Sequence, residues 1–101
     1  MEDKLSNRVL EFSLSQNYPN PFNPSTTIAY SVKTFGHVTI AVYNLVGHRV
    51  RVLTARNHEP GEYRVIWDGK DGSGKAVSSG LYFYRIETPY FEQTKQLVLL
   101  R

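Results

Sequence analysis

The segment from Asn17 to Ile28 reads Asn-Tyr-Pro-Asn-Pro-Phe-Asn-Pro-Ser-Thr-Thr-Ile. It constrains the chain more than any other stretch. Pro19, Pro21 and Pro24 each fix φ and remove a backbone donor. Each also drives the residue before it (Tyr18, Asn20, Asn23) toward extended geometry. Neither a helix nor a central strand can form there. The segment is expected to be a stiff, extended clip whose two rings, Tyr18 and Phe22, both pack onto the first strands. Thr26 to Val32, directly after the clip, alternates apolar and polar residues and reads as a strand.

The remaining periodicity is also that of strands. A first short strand is expected over Val9 to Leu14. His37 to Tyr43 places Val38, Ile40 and Val42 on one face. Asn44-Leu45-Val46-Gly47 closes a hairpin, with Gly47 free to take positive φ. His48 to Thr54 continues with Val50 and Val52 inward, and Leu53 breaks the alternation as a bulge does. After a turn at Asn57 to Gly61, Glu62 to Asp68 aligns Tyr63, Val65 and Trp67. A Gly-rich polar loop leads to Leu81–Thr88, apolar on both faces and therefore central. Gln93 to Arg101 is last, and its Leu97-Val98-Leu99-Leu100 run is expected to be buried on both sides. Seven short strands with turn signals every 8–12 residues predict an all-β, seven-stranded antiparallel Ig-like β-sandwich. The chain has no cysteine, so the sandwich has no disulfide. Its 101 residues suffice for one core. The sandwich is expected over residues 10–101, with residues 1–9 a flexible tail or linker. The expected core comprises Ile28, Tyr30, Val38, Ile40, Val42, Val50, Val65, Trp67, Tyr82, Tyr84 and Leu99.

Charge excludes some functions. Twelve Lys/Arg against nine Asp/Glu give +3, and the basic residues alternate with apolar ones, as in Arg49-Val50-Arg51-Val52. That is a solvated strand face, not a nucleic-acid surface. No run approaches the ~18 apolar residues of a membrane helix, so membrane insertion is not expected. Met1-Glu2-Asp3-Lys4 lacks the order of a signal peptide. Export would therefore require a leader carried by sequence N-terminal to this stretch.

Three motifs hint at chemistry and fail on context. Gly69 to Ala76 nearly matches a phosphate-binding loop, yet Ala76 stands where a hydroxyl must hold Mg²⁺ and no helix comes after it. Asp68, Asp71 and Ser73 offer oxygen ligands for a structural Ca²⁺, but lack the spacing of a calcium loop and read more simply as turn residues. Ala76-Val77-Ser78-Ser79-Gly80 echoes a nucleophile elbow but leads into a strand. His37, His48 and His58 fit no metal spacing. No catalytic residue, metal ligand or cofactor is expected. Tyr63 and Trp67 would suit a sugar platform only if they faced outward, and their register points them inward.

Four blocks in order carry a resemblance. The proline segment (Tyr18, Pro19, Asn20, Pro21, Phe22, Asn23, Pro24) comes first. Val42-Tyr43-Asn44-Leu45-Val46-Gly47 is second. The Gly-x-Tyr blocks are third, Gly61-Glu62-Tyr63 running on to Trp67 and Gly80-Leu81-Tyr82. The ending Thr94 to Arg101 is the last. Together they resemble the C-terminal sorting domain of the type IX (Por) secretion system. The same blocks occur in the Ig-like domain of the flagellar hook-capping family. Members usually end in a basic residue, often Lys, from which Arg101 departs conservatively.

The resemblance implies a non-enzymatic domain at the end of a larger exported protein, in the periplasm in transit and then at the cell surface or outside it. Its partners would be the outer-membrane secretion machinery, a sortase-like surface protease that removes it, and an N-terminal cargo domain. The terminal strand would carry the signal through Lys95, Leu97, Val98, Leu99, Leu100 and Arg101, with Lys95 and Arg101 facing water and free edge groups open to strand addition. Two alternatives stand beside this: a structural Ig-like spacer or assembly module, and a carbohydrate-binding module.

Overall fold

The computed structural model describes residues 10–101. The expected tail over residues 1–9 lies outside the described residues, as does Val9, the expected start of the first strand. Seven strands form: β1 Ser13–Leu14, β2 Thr26–Val32, β3 Gly36–Tyr43, β4 Arg49–His58, β5 Gly61–Trp67, β6 Gly80–Glu87 and β7 Glu92–Leu99. They make two antiparallel sheets, β1-β2-β5 and β4-β3-β6-β7. This is the expected sandwich.

Alternation explains the core. β2 buries Ile28, Tyr30 and Val32, and β3 buries Val38, Ile40 and Val42. Trp67 of β5, Tyr82, Tyr84 and Ile86 of β6, and Leu97 and Leu99 of β7 close the same cluster. Val50 and Val65, also expected inside, pack against it while half-buried. β6 is central, between β3 and β7, as its apolar character predicts.

β4 departs from simple alternation. Ile40 pairs with Thr54 and Ala41 with Val52, so Leu53 is the extra residue of a bulge. A second irregularity isolates Val50, because Val42 pairs with Arg51 and Tyr43 with Arg49. Each extra residue shifts the next side chains by one place. Leu53 therefore packs against the core, and Val52, expected inward, is 39% exposed. β4 also runs on through Asn57 and His58, which the sequence reading assigned to a turn.

The two Gly-x-Tyr blocks are one device used twice. Tyr63 donates its hydroxyl to the carbonyl of Glu59 at 2.5 Å, and Tyr82 to that of Ser78 at 2.7 Å. Each ring thus ties its strand to the carbonyl four residues upstream, as a tyrosine corner does. At Gly61 an added Cβ would sit 3.6 Å from the Tyr63 ring, so the ring lies over the glycine.

Candidate recognition surface: the proline clip and the last strand

The clip packs as expected through one ring and not the other. Phe22 is 2% exposed and tilts against Trp67 at 5.5 Å, and Trp67 in turn meets Tyr82 edge-on at 5.4 Å. Tyr18 is 80% exposed. The cause is the backbone register. Tyr18 pairs with Thr27 of β2, exchanging two hydrogen bonds of 2.9 Å. Thr27 lies on the outer face of its sheet, between the buried Thr26 and Ile28. The Tyr18 ring therefore tracks the outer face instead of the core.

The clip also crosses from one sheet to the other. Phe22 forms a parallel bridge with Leu99: its N–H donates to the Val98 carbonyl, and the Leu100 N–H donates to the Phe22 carbonyl, both at 3.0 Å. The Val98 N–H donates to Asn20 Oδ1 at 3.0 Å. Gln16 Nε2 reaches the Gln96 carbonyl at 2.6 Å. β7 is an edge strand, and these contacts cover the edge along its C-terminal half.

A buried polar knot anchors the clip's start. The Asn17 N–H donates to the Tyr84 hydroxyl at 2.9 Å, and that hydroxyl donates to the Ser15 carbonyl at 2.7 Å. Asn17 Nδ2 donates to Thr26 Oγ1 and to the Pro19 carbonyl, which also accepts from Thr26 Oγ1 at 2.8 Å. Burial pushes the Tyr84 phenol up to about 12, despite its bond from the Asn17 amide. Buried polar groups are tolerated when their bonds are complete, and these are. Sequence reading did not single out Asn17, Thr26 or Tyr84 for this role. The available signal was Asn17 itself, a turn-favouring polar residue opening a proline run.

The terminal residues divide by face. Leu97 and Leu99 are fully buried, Val98 is half-buried, and Leu100 is 53% exposed. The run is therefore not buried on both sides: Leu97 and Leu99 face the core, while Val98 and Leu100 alternate to the outer face. Lys95 is half-buried. Arg101 faces water but is tied down. Its N–H donates to Ser79 Oγ at 2.8 Å, its Nε to the Val77 carbonyl at 2.6 Å and its guanidinium to the Gly69 carbonyl at 2.5 Å. Gly69 permits this: it has φ +74°, and a Cβ there would lie 2.8 Å from the guanidinium.

The loop that mimics a phosphate site is a self-satisfied turn. Asp71 Oδ1 accepts from the Ser73 N–H, the Ser73 hydroxyl and the Lys75 N–H. The Ser73 hydroxyl and these amides hold the Asp71 carboxyl below its ordinary value. Asp68 Oδ1 accepts from the Lys70 N–H and faces Arg51 at 3.4 Å. Lys70 bridges to Ala76 and the chain enters β6, so no helix N-terminus meets the loop. Among the described residues no cluster of metal-ligating side chains forms. Trp67 is buried and its indole donates to the Lys70 carbonyl at 2.9 Å, while Tyr63 stacks on Tyr30 at 5.5 Å. A sugar platform built on those two rings is therefore excluded.

Residues 25–89 match the FlgD Ig-like domain. The chain belongs to that family. No curated protein matches it. Among solved structures, this FlgD-type Ig-like domain is similar to part of dimeric latent PorU from Porphyromonas gingivalis. The TM-score is 0.71 at 18% identity, over 86% of this chain and 9% of that one. It is also similar to part of PorZ, described as an essential bacterial surface component of the type-IX secretion system of that organism. There the TM-score is 0.53 at 17% identity, over 97% of this chain and 12% of PorZ. The chain thus spans a small fraction of either protein, and the likeness is one of fold. The family match begins after Pro24 and ends at Pro89, so the proline clip and β7 lie outside it.

Proposed function

We propose that this Ig-like domain is a C-terminal sorting module that directs a larger exported protein across the outer membrane by type IX secretion. It acts as a passenger and not as an enzyme. The observation that carries the reading is the union of clip and terminal strand. The two segments that extend this chain beyond the FlgD Ig-like match are hydrogen-bonded to each other through Asn20, Phe22, Val98 and Leu100. A fold shared with part of PorZ, and the ordered motifs of the sequence, support the same reading. Cell-surface or extracellular localisation, the secretion machinery and the removing protease follow from it.

Arg101 caps the loop from Gly69 to Ser79, so replacing it perturbs structure as well as signal. The Lys95 and Leu100 side chains reach solvent without such ties in the structure. The test fuses a signal peptide, a reporter and this domain in a cell with type IX secretion. Wild-type fusion should reach the surface, and deletion of Leu97 to Arg101 should leave it in the periplasm. Lys95→Ala with Leu100→Ala should lower export while the purified domain keeps its melting temperature. Normal export of the five-residue deletion would refute sorting. It would favour a structural Ig-like spacer, the reading that membership of the FlgD Ig-like family supports by itself.

A further inference from the structure

The neighbour that covers the end of β7 only imitates a strand. Phe22 makes the paired bonds of a parallel bridge: its N–H donates to the Val98 carbonyl, and its carbonyl accepts from the Leu100 N–H. A parallel ladder repeats that pair at every second residue. One step back, the Asn20 N–H would donate to the Gln96 carbonyl and the Asn20 carbonyl would accept from the Val98 N–H. Side chains stand in for both. Gln16 Nε2 donates to the Gln96 carbonyl at 2.6 Å, and Asn20 Oδ1 accepts from the Val98 N–H at 3.0 Å. One step forward, the Leu100 carbonyl would meet residue 24, and proline has no N–H to give. An unbroken strand in the same place would make all of these bonds with its backbone. The clip makes only those at Phe22 that way.

The clip is also held at its base independently of its tip. From Asn20 to Ser25 every residue but Phe22 is exposed. Below them, Thr26 Oγ1 accepts from Asn17 Nδ2 at 3.0 Å and donates to the Pro19 carbonyl at 2.8 Å, and Tyr18 pairs with Thr27. These bonds keep the two ends of the loop together whether or not its tip lies on β7. The tip can therefore lift as a unit and leave β2 paired with β5. It uncovers backbone donors and acceptors at Gln96, Val98 and Leu100, beside an apolar seat on Trp67 that takes an aromatic ring. A loop over an edge strand prevents chance pairing. A loop with fewer backbone bonds than a true strand also leaves that edge open to exchange for one.

We propose that the β7 edge is a masked docking site for an extended, proline-free segment of a partner protein. That segment runs parallel to β7, seats an aromatic side chain where Phe22 lies and displaces the tip of the clip. The site deepens the sorting reading, on which it rests for its biological role, by naming how the last strand is read. Its test uses the purified domain and a synthetic probe, so it can fail while export in cells succeeds, and the reverse. Amide NMR spectra are recorded with the peptide Asn-Tyr-Val-Asn-Val-Phe-Asn-Val-Ser, the clip sequence with valine at each proline. It is added up to ~1 mM, tenfold above a Kd of ~100 μM. Saturable shifts should appear at Phe22, Val98 and Leu100, with the β4 amides unmoved. The unaltered clip sequence, and the valine peptide with Ala for Phe, should each bind about tenfold more weakly or worse. Asn20→Ala removes the stand-in acceptor from an exposed position and should tighten binding of the valine peptide about two- to tenfold, the worth of one hydrogen bond. No saturable shift in either the wild-type or the Asn20→Ala domain overturns the proposal. Equal binding of the Phe and Ala peptides overturns it too, because the edge then has no aromatic seat. A response along β4 in place of β7 does the same.

Discussion

Replacing Phe22 with Ala tests whether the clip holds the domain shut. The ring is 2% exposed and wedged against Trp67 at 5.5 Å. Truncating a fully buried Phe costs ~3–5 kcal/mol, combining lost transfer energy with the cavity left behind. That is a large part of the ~5–15 kcal/mol that stabilises an ordinary domain. For a domain of this size each kcal/mol moves Tm by ~4–8 °C, so the variant should melt about 12–40 °C lower. Tyr18→Ala is the internal control. It removes a ring of the same clip that buries little surface, and should move Tm by no more than a ~0.5 kcal/mol surface substitution does. Thermal unfolding monitored by circular dichroism reads both. Native-state hydrogen exchange then locates the damage. The Val98 and Leu100 amides, which donate to Asn20 and Phe22, should lose protection in Phe22→Ala before those of β3 do. Equal Tm shifts for the two variants, or a Phe22→Ala protein that melts with wild type, would refute the idea that one buried ring pins the segment.

Other expectations come from the buried polar groups and the loop. His58 is buried, and the Arg56 carbonyl beside Nδ1 can only accept, so Nδ1 carries the proton and Nε2 accepts from the Tyr30 hydroxyl at 2.7 Å. Burial holds its pKa below the ordinary 6.5; the folded state therefore binds the proton less readily, and stability should fall as pH drops below ~6.5. Urea titrations across that range should show a slope that His58→Gln removes; the same slope in the variant would refute the assignment. Tyr84→Phe leaves the Asn17 amide and Ser15 carbonyl without their partner and should cost ~1–3 kcal/mol in denaturant unfolding. Gly69→Ala should destabilise the domain through its positive φ and its clash with Arg101, and the cost should be smaller in an Arg101→Ala background, a coupling that a double-mutant cycle measures. Lys75→Ala should leave Tm nearly unchanged, because the Asp71 turn uses the Lys75 backbone and not its side chain.

Most of the sandwich could be read from the order of residues, since a half-buried strand must alternate. β2, β3 and β6 obey that rule, and the break at Leu53 was visible as a bulge. Where the reading failed, the missing quantity was the partner. Tyr18 and Phe22 look alike in the sequence. Their fates differ because one backbone pairs with an outward position of β2 and the other with the end of β7. The apolar run from Leu97 to Leu100 could not reveal that only one of its two faces meets the core. Arg101 looked free because its acceptors belong to Gly69 and Val77, more than twenty residues away. Asn17 looked like a turn residue because the Tyr84 hydroxyl that completes it is 67 positions distant. The pairing of Ala29 with Arg64 was hidden for a related reason: the two become neighbours only through the β2–β5 register.

The bond from Val98 to Asn20 joins residues 78 positions apart. On a ribosome adding ~5–20 residues per second, about 4–16 s separate the appearance of these two partners. Throughout that interval Phe22 lacks the β7 backbone that bridges it, although Trp67 is made before the interval ends. The domain therefore cannot mature from its beginning while its end is still being made. Such long-range closure is slow even in the finished chain, because loop entropy must be lost before the contacts that offset it form. A nascent polypeptide carrying this domain thus keeps it loose until residue 98 has been made, however early its first strands are finished.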